Sequence, residues 1–144
     1  KLAIPKTKHT TSITSTINSY KIIKTNRISI FTPYTDDINQ SLIDYFKKEN
    51  IEISDLSYLD IASDLDIGKT DPNYLFETLV NINLSKSDAL FISCTALPVL
   101  SLIKDLEKKI GKIVLSSNQV LIWDTLKQVD LKDQILGYGE LFNN

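Results

Sequence analysis

Arg27-Ile28-Ser29-Ile30-Phe31-Thr32-Pro33-Tyr34-Thr35-Asp36 reads as a strand that runs into a loop and then a helix. Its first five residues are a short apolar run rich in β-branched Ile, as in a buried strand, and Thr32-Pro33-Tyr34 ends it. Asp36 or Asp37 is expected to cap the following helix, where Ile38, Leu42, Ile43, Tyr45 and Phe46 recur at helical spacing. Asn50 closes that helix, and residues 51–56 alternate as a second strand. The same punctuation repeats downstream. Asp71-Pro72 opens a helix with Pro in its first turn, and Tyr74, Leu75, Leu79 and Ile82 are its expected inner face. Residues 89–93 form a strand with Cys94 just beyond it. Residues 97–110 form a helix that stops at Gly111, a residue suited to a C-cap. Residues 113–115 are a short strand, and Ser116-Ser117-Asn118 caps a helix through Val120, Leu121, Trp123 and Leu126.

Strict alternation of strand and helix predicts an α/β fold, a parallel four-stranded sheet with helices on both faces. Right-handed crossovers restrict the topology to a doubly wound, flavodoxin-like arrangement. In such folds ligands sit beyond the carboxyl ends of the strands. Tyr34, Cys94 and Asn118 fall at those ends in three different strand-to-helix loops, so they are expected on one edge, facing a shared cleft. Residues 57–71 are the longest irregular segment and contain Asp60, Asp64 and Asp66, a pattern compatible with a functional lid. Upstream, residues 10–23 read as a Ser/Thr-rich helix with Ile13, Ile17 and Tyr20 inward, and Ile4-Pro5 as the end of a short strand. Residues 1–26 are read as a connector from a missing first lobe, and 27–144 as a second α/β lobe. The start at Lys1 without Met fits a fragment of something longer.

The chain has 144 residues, 42% hydrophobic and 24% charged, values ordinary for one globular domain. A formal net charge of −2 gives no electrostatic footprint for nucleic acid or an anionic membrane surface. No apolar run reaches the ~18–20 residues that span a bilayer, and the residues from Lys1 onward lack the charged, apolar and small-residue pattern of a signal peptide. The single cysteine excludes an internal disulfide, and with the lone His9 it offers no thiolate-based metal site. A cytoplasmic protein is the simplest reading.

A cysteine at a strand end is most often a small buried hydrophobe. Two features favour chemistry at Cys94. It precedes a predicted helix N-terminus, whose partial charge favours thiolate, and Thr95 beside it offers a hydroxyl and a backbone N–H to a carboxylate. Tyr34 sits in what is otherwise a strand-end turn, yet a Tyr at this edge can donate to a bound oxyanion. Ser116-Ser117-Asn118-Gln119 serves as a cap, and capping leaves neighbouring N–H groups for an anion. Gly137-Tyr138-Gly139 lacks the further glycine and the strand context of a dinucleotide fingerprint and reads as a turn. Gly68-Lys69-Thr70 resembles the end of a phosphate loop, but Ser63 stands where that motif's first glycine belongs.

Together these segments resemble the maleate isomerase and arylmalonate decarboxylase family, within the aspartate/glutamate racemase superfamily. Thr32-Pro33-Tyr34 before an acidic helix start is similar to its tyrosine loop. Ser93-Cys94-Thr95 is similar to its second-lobe cysteine motif. Ser116-Ser117-Asn118-Gln119, with Trp123 five residues after the Asn, resembles the subgroup's signature, and Gly137-Tyr138-Gly139-Glu140-Leu141 resembles its C-terminal ending. The resemblance implies one lobe of a two-lobed racemase-type fold, with the active site between lobes and one catalytic residue from each. It implies a cofactor-independent cis–trans isomerase acting on maleate or a related small dicarboxylate, without metal. A first-lobe cysteine would be the nucleophile and Cys94 the acid/base partner, with Tyr34, Thr95 and Asn118 holding carboxylates. An arylmalonate-type decarboxylase, an amino-acid racemase and a non-catalytic flavodoxin-like ligand-binding lobe are the alternatives; Thr after Cys94, rather than Gly, leans toward isomerase or racemase. The isolated chain is expected to be inactive. It is also expected to expose the apolar surface on which a first lobe docks, and homo-oligomerisation stays open.

Overall fold

The computed structural model describes residues 7–131 and 135–143. In chain order they form α1 (Ser12–Ile23), β1 (Arg27–Thr32), α2 (Asp36–Lys48), β2 (Glu52–Tyr58), α3 (Asp64–Gly68), α4 (Pro72–Val80) and β3 (Ala89–Ile92). A 3-10 turn (Leu100–Leu102), α5 (Ile103–Ile110), β4 (Ile113–Ser116), α6 (Ser117–Gln128) and a second 3-10 turn (Glu140–Asn143) follow. The strands make one sheet in the order β2-β1-β3-β4, and each neighbouring pair is parallel. The expected flavodoxin-like α/β fold is therefore the one adopted.

Side chains alternate across the sheet because successive Cβ atoms on a strand point to opposite faces. Ile28 and Ile30 of β1, Phe91 of β3 and Leu115 of β4 pack with Ile17, Tyr20, Phe46, Val120 and Trp123 from α1, α2 and α6. Phe31, Leu90, Ile92 and Val114 face the other way, onto Leu75 and Leu79 of α4 and Ile103 and Leu106 of α5. Two buried faces explain why these strands read as continuous apolar runs. On the first face Tyr20, Phe46 and Phe91 form a tilted-to-perpendicular aromatic trio with ring centroids 5.9–6.1 Å apart. Such pairs add about 0.5–1.5 kcal/mol each beyond the area they bury.

Several local expectations are corrected. The cap of α2 is Thr35, not Asp36 or Asp37; its hydroxyl donates to Asp37 at 2.5 Å instead of capping a backbone N–H. The buried face of α2 runs through Asn39 and Phe46, while Ile38 (49% exposed) and Tyr45 turn outward. In α4, Leu75 and Leu79 are buried but Tyr74 is exposed. The span 57–71 is not wholly irregular: β2 continues to Tyr58, and Ser63 caps the short helix α3. The helix after Cys94 starts later than residue 97, because Pro98 disfavours helical backbone at the residue before it. Leu97 and Val99 are buried in the core from that irregular segment. Gly68-Lys69-Thr70 is the end of α3, with the Lys69 ammonium paired to Asp66 at 3.1 Å. The reading of Ile4-Pro5 lies outside the described residues. Among those described, no helix is long and apolar enough to cross a membrane.

Helix α1, read from sequence as part of a connector, packs along α6. The junction is polar at one point. Asp124 of α6, 5% exposed, accepts hydrogen bonds from Thr10 (2.5 Å), Ser15 (3.0 Å), Asn18 (3.2 Å) and Gln128 (3.3 Å). Burial pushes its carboxyl up, but these donors outweigh burial and hold it below the usual carboxylate range. A carboxyl with a depressed folded pKa contributes stability above its unfolded pKa, about 3.9, and loses that contribution as pH falls through the folded value. Asp124→Asn should therefore destabilise the chain by about 1–3 kcal/mol at pH 7. In urea melts the gap from wild type should shrink at pH 3 and below; a gap independent of pH would refute the charge-based account.

Candidate active site

The chain runs outward from β1 to β2 and then crosses back to β3, so the strand order reverses between β1 and β3. A crevice opens beyond the carboxyl ends at such a switch point. The ends lie in register, with Phe31 beside Ile92 and Ile92 beside Ser116. Tyr34, Cys94 and Asn118 follow these residues closely in sequence and share one edge of the sheet.

Tyr34 stands in a loop whose backbone is held on both sides. Its N–H donates to the Thr32 hydroxyl at 3.2 Å, and its carbonyl accepts from the Asn39 amide at 3.1 Å. Pro33 accepts from the Ile61 N–H at 2.8 Å, which ties the loop to the segment after β2. The phenol is half-buried. Burial raises its pKa well above the ordinary value; the charge of Cys94 and a hydrogen bond with its thiol act in the same direction. A hydrogen bond with Ser93 opposes this, and Asp64 adds a further upward push. The Tyr34 hydroxyl is thus a protonated donor at neutral pH, on a ring that packs against the cluster containing Cys94.

Cys94 is 5% exposed and belongs to the apolar cluster on the α4–α5 face, against which Tyr34, Leu59 and Ile61 also pack. The Ala96 N–H donates to its sulfur at 3.3 Å. This contact comes from the loop itself, since α5 begins only at Ile103; the predicted helix N-terminus beside the thiol is absent. Thr95 is exposed, and its carbonyl accepts from the Asn118 amide at 2.9 Å. Asn118 therefore ties the start of α6 to the cysteine loop.

Gln119, fully buried, holds this start in place. Ser116 accepts from the Gln119 N–H (3.3 Å), and the Gln119 carbonyl oxygen accepts from the Ser116 N–H (3.2 Å), a reciprocal capping box. Its amide also donates to the Tyr138 carbonyl at 2.6 Å, anchoring the Gly137-Tyr138-Gly139 turn. Glu107 of α5 ties the same segment from the other side, accepting from the Glu140 N–H (2.9 Å) and the Val114 N–H (3.0 Å).

The structure thus joins Asn118 to Thr95 by a hydrogen bond and packs Tyr34 against the cluster that contains Cys94. It does not place all of them on one cleft. A cleft of about 410 Å³ is lined by Tyr34, Ser93, Thr95 and Ser117, with Ile13, Ile38, Leu42 and Tyr45 as its apolar wall. Cys94 and Asn118 are not among its lining residues, because Cys94 turns to the opposite face of the sheet from Phe91 and Ser93. Sequence reasoning missed Asn39, Ser93 and the double role of Gln119. The available signal for Asn39 was an amide three residues before Leu42 and seven before Phe46, on the inward face of α2.

A sequence model of the arylmalonate decarboxylase family matches residues 3–142. The maleate isomerase of Geobacillus stearothermophilus is 28% identical over 128 residues, 88% of this chain and 51% of that protein. The arylmalonate decarboxylase of Bordetella bronchiseptica is 26% identical over 137 residues, 93% of this chain and 57% of that protein. Among solved structures, a cysteine-to-alanine variant of the maleate isomerase Iso from Pseudomonas putida S16, with maleate, superposes with a TM-score of 0.86 at 26% identity. That match covers 91% of this chain and 53% of the other. A crystal structure of arylmalonate decarboxylase gives a TM-score of 0.81 at 25% identity, over 92% of this chain and 59% of the other. The chain spans about half the length of the curated relatives it matches.

Proposed function

Because the chain belongs to the arylmalonate decarboxylase family, we propose that it is the second, cysteine-bearing lobe of an isomerase that interconverts maleate, or a related small dicarboxylate, with its trans isomer. The observation that carries this reading is the thiol of Cys94 at the switch point of the sheet, accepting from the Ala96 N–H at 3.3 Å, with Tyr34 packed against the cluster that contains it. Similarity to a maleate isomerase solved with maleate supports the choice of a dicarboxylate.

In this reading a thiolate of the other lobe adds to one alkene carbon. The alkene electron pair becomes a carbanion at the neighbouring carbon, stabilised by its carboxylate, or takes a proton from Cys94. Rotation about the new single bond follows. Elimination expels the thiolate and restores the double bond, and Cys94 recovers any proton it gave. Tyr34, Thr95 and Asn118 supply donors to the two carboxylates, a dense donor set of the kind a dianion requires in a closed site. The apolar wall of Ile13, Ile38, Leu42 and Tyr45 is the face on which the first lobe docks. The chemistry uses thiols and needs neither metal nor cofactor.

The test is proton NMR of maleate incubated with the complete protein that carries this lobe, and with the 144-residue chain alone. Appearance of the fumarate singlet is expected from the complete protein and not from the chain alone. Robust turnover by the chain as a monomer would contradict the two-lobe reading. Carbon dioxide release from an arylmalonate, with maleate untouched, would transfer the assignment to a decarboxylase.

A further inference from the structure

We propose that Asn39 is a positioning residue that, with Thr32, sets how the Tyr34 side chain packs over the cluster that contains Cys94. This inference rests on the proposed function for its kinetic consequence but not for its geometry. Asn39 is fully buried in α2, in a position where an amphipathic helix places an apolar side chain. A buried amide is retained at a cost unless its groups are satisfied. Here they are satisfied by the Tyr34 loop. The Thr32 hydroxyl donates to the Asn39 carbonyl oxygen at 2.6 Å and accepts from the Tyr34 N–H at 3.2 Å. The Asn39 amide donates to the Tyr34 carbonyl at 3.1 Å.

The result is a closed ring. Both backbone polar groups of Tyr34 are held by two side chains, one from the end of β1 and one from the first turn of α2. The ring also fixes the amide orientation. With the amide flipped, the Asn39 oxygen would face the Tyr34 carbonyl, acceptor against acceptor. Neither Thr32 nor Asn39 needs to touch a substrate for this, since both are fully buried. Their effect on chemistry passes through Tyr34, which packs against the cluster that contains the Cys94 thiol. A closed hydrogen-bonded ring holds a side chain more narrowly than packing of a turn alone, and active-site geometry tolerates little displacement.

The experiment has a first arm that needs no substrate. Cys94 is the single cysteine, so the rate of its alkylation by iodoacetamide reports access to the thiol. Asn39→Ala, Thr32→Val and Tyr34→Ala are compared with wild type in the 144-residue chain, with circular dichroism as the folding check. Tyr34→Ala should raise the rate at least about fivefold, and Asn39→Ala or Thr32→Val should do the same, because access controls thiol reactivity. Should Asn39→Ala fail to fold, Thr32→Val carries the same test from the β1 side. Wild-type rates in the folded variants overturn the proposal.

The second arm is Asn39→Asp in the complete protein. While protonated, the substituted side chain can accept from Thr32 and donate to Tyr34, whereas its carboxylate form can only accept. The ratio of the variant's turnover to wild type should fall as pH rises through the ionisation of the new carboxyl, a dependence that a merely structural role would not produce. A ratio flat with pH overturns the proposal. Faster alkylation with no turnover of any diacid, by wild type or variant, would leave the positioning intact and sink the proposed reaction instead.

Discussion

If the proposed isomerisation holds, Cys94→Ser in the complete protein should lower turnover of its best dicarboxylate by at least about two orders of magnitude, the scale of a lost general acid or base. The hydroxyl nearly keeps the size of the thiol but ionises far above the working pH, so a proton held at this position can no longer move. Substrate binding should change much less, since the proposed carboxylate donors Tyr34, Thr95 and Asn118 remain. Asn118→Ala should behave differently. It removes the donor to the Thr95 carbonyl, loosens the cysteine loop, and should raise KM as well as lower kcat. The position of Cys94 inside an apolar cluster adds a stability cost absent from a simple loop residue. Placing a hydroxyl there without a new partner costs about 1–3 kcal/mol. Circular dichroism and a thermal melt must therefore accompany the kinetics, and Cys94→Ala, which buries no hydroxyl, separates lost stability from lost chemistry. Near-native turnover by either folded variant would make the cysteine structural and the proposed mechanism wrong.

The alternation that places Tyr34, Cys94 and Asn118 on one edge was legible because it depends on short-range signals. β-branched runs mark strands, Asp71-Pro72 and Ser116 open helices, and Gly111 closes one in the left-handed region at φ 69°. What escaped depends on which way a side chain turns. Ile38 and Tyr45 fit a helical period as well as Asn39, Leu42 and Phe46 do, and hydrophobicity favours the wrong set. Only the tertiary ring with Thr32 makes an amide the better inward residue. The cysteine loop illustrates a second limit. Pro98 announced a break in helical backbone, but apolar Leu97, Val99 and Leu100 mimic the periodicity of a helix that in fact starts at Ile103. That delay removes the helix terminus from the thiol and leaves the Ala96 N–H as the donor instead. The outward turn of Ile38 and Tyr45 has its own consequence, since it builds the apolar wall of the cleft beside Tyr34.

Gly139→Val should destabilise the chain by about 3 kcal/mol or more, the sum of a strained backbone and an overpacked site. Gly139 has φ 93°, which L side chains rarely adopt. Crowding adds to this strain. A Cβ at position 139 would stand 2.6 Å from the Ile103 methyl and 2.8 Å from the Gln119 amide nitrogen. Neither neighbour can retreat cheaply. Ile103 is fully buried at the start of α5, and the Gln119 amide is already committed to the Tyr138 carbonyl. Gly137→Val is the control. Its φ of 91° is equally unusual, but nothing lies within 4 Å of the Cβ it would gain, so it should cost only the backbone strain, about 1–2 kcal/mol. The difference between the two variants in urea melts isolates the contact. It should also reach the Cys94 loop, because displacing Gln119 disturbs the capping box at the start of α6, from which Asn118 bonds to Thr95. Alkylation of Cys94 should accordingly be faster in Gly139→Val than in Gly137→Val, measured well below the unfolding transition of each. Equal stability of the two variants would show that the C-terminal turn does not press on Gln119, and that the start of α6 holds its geometry unaided.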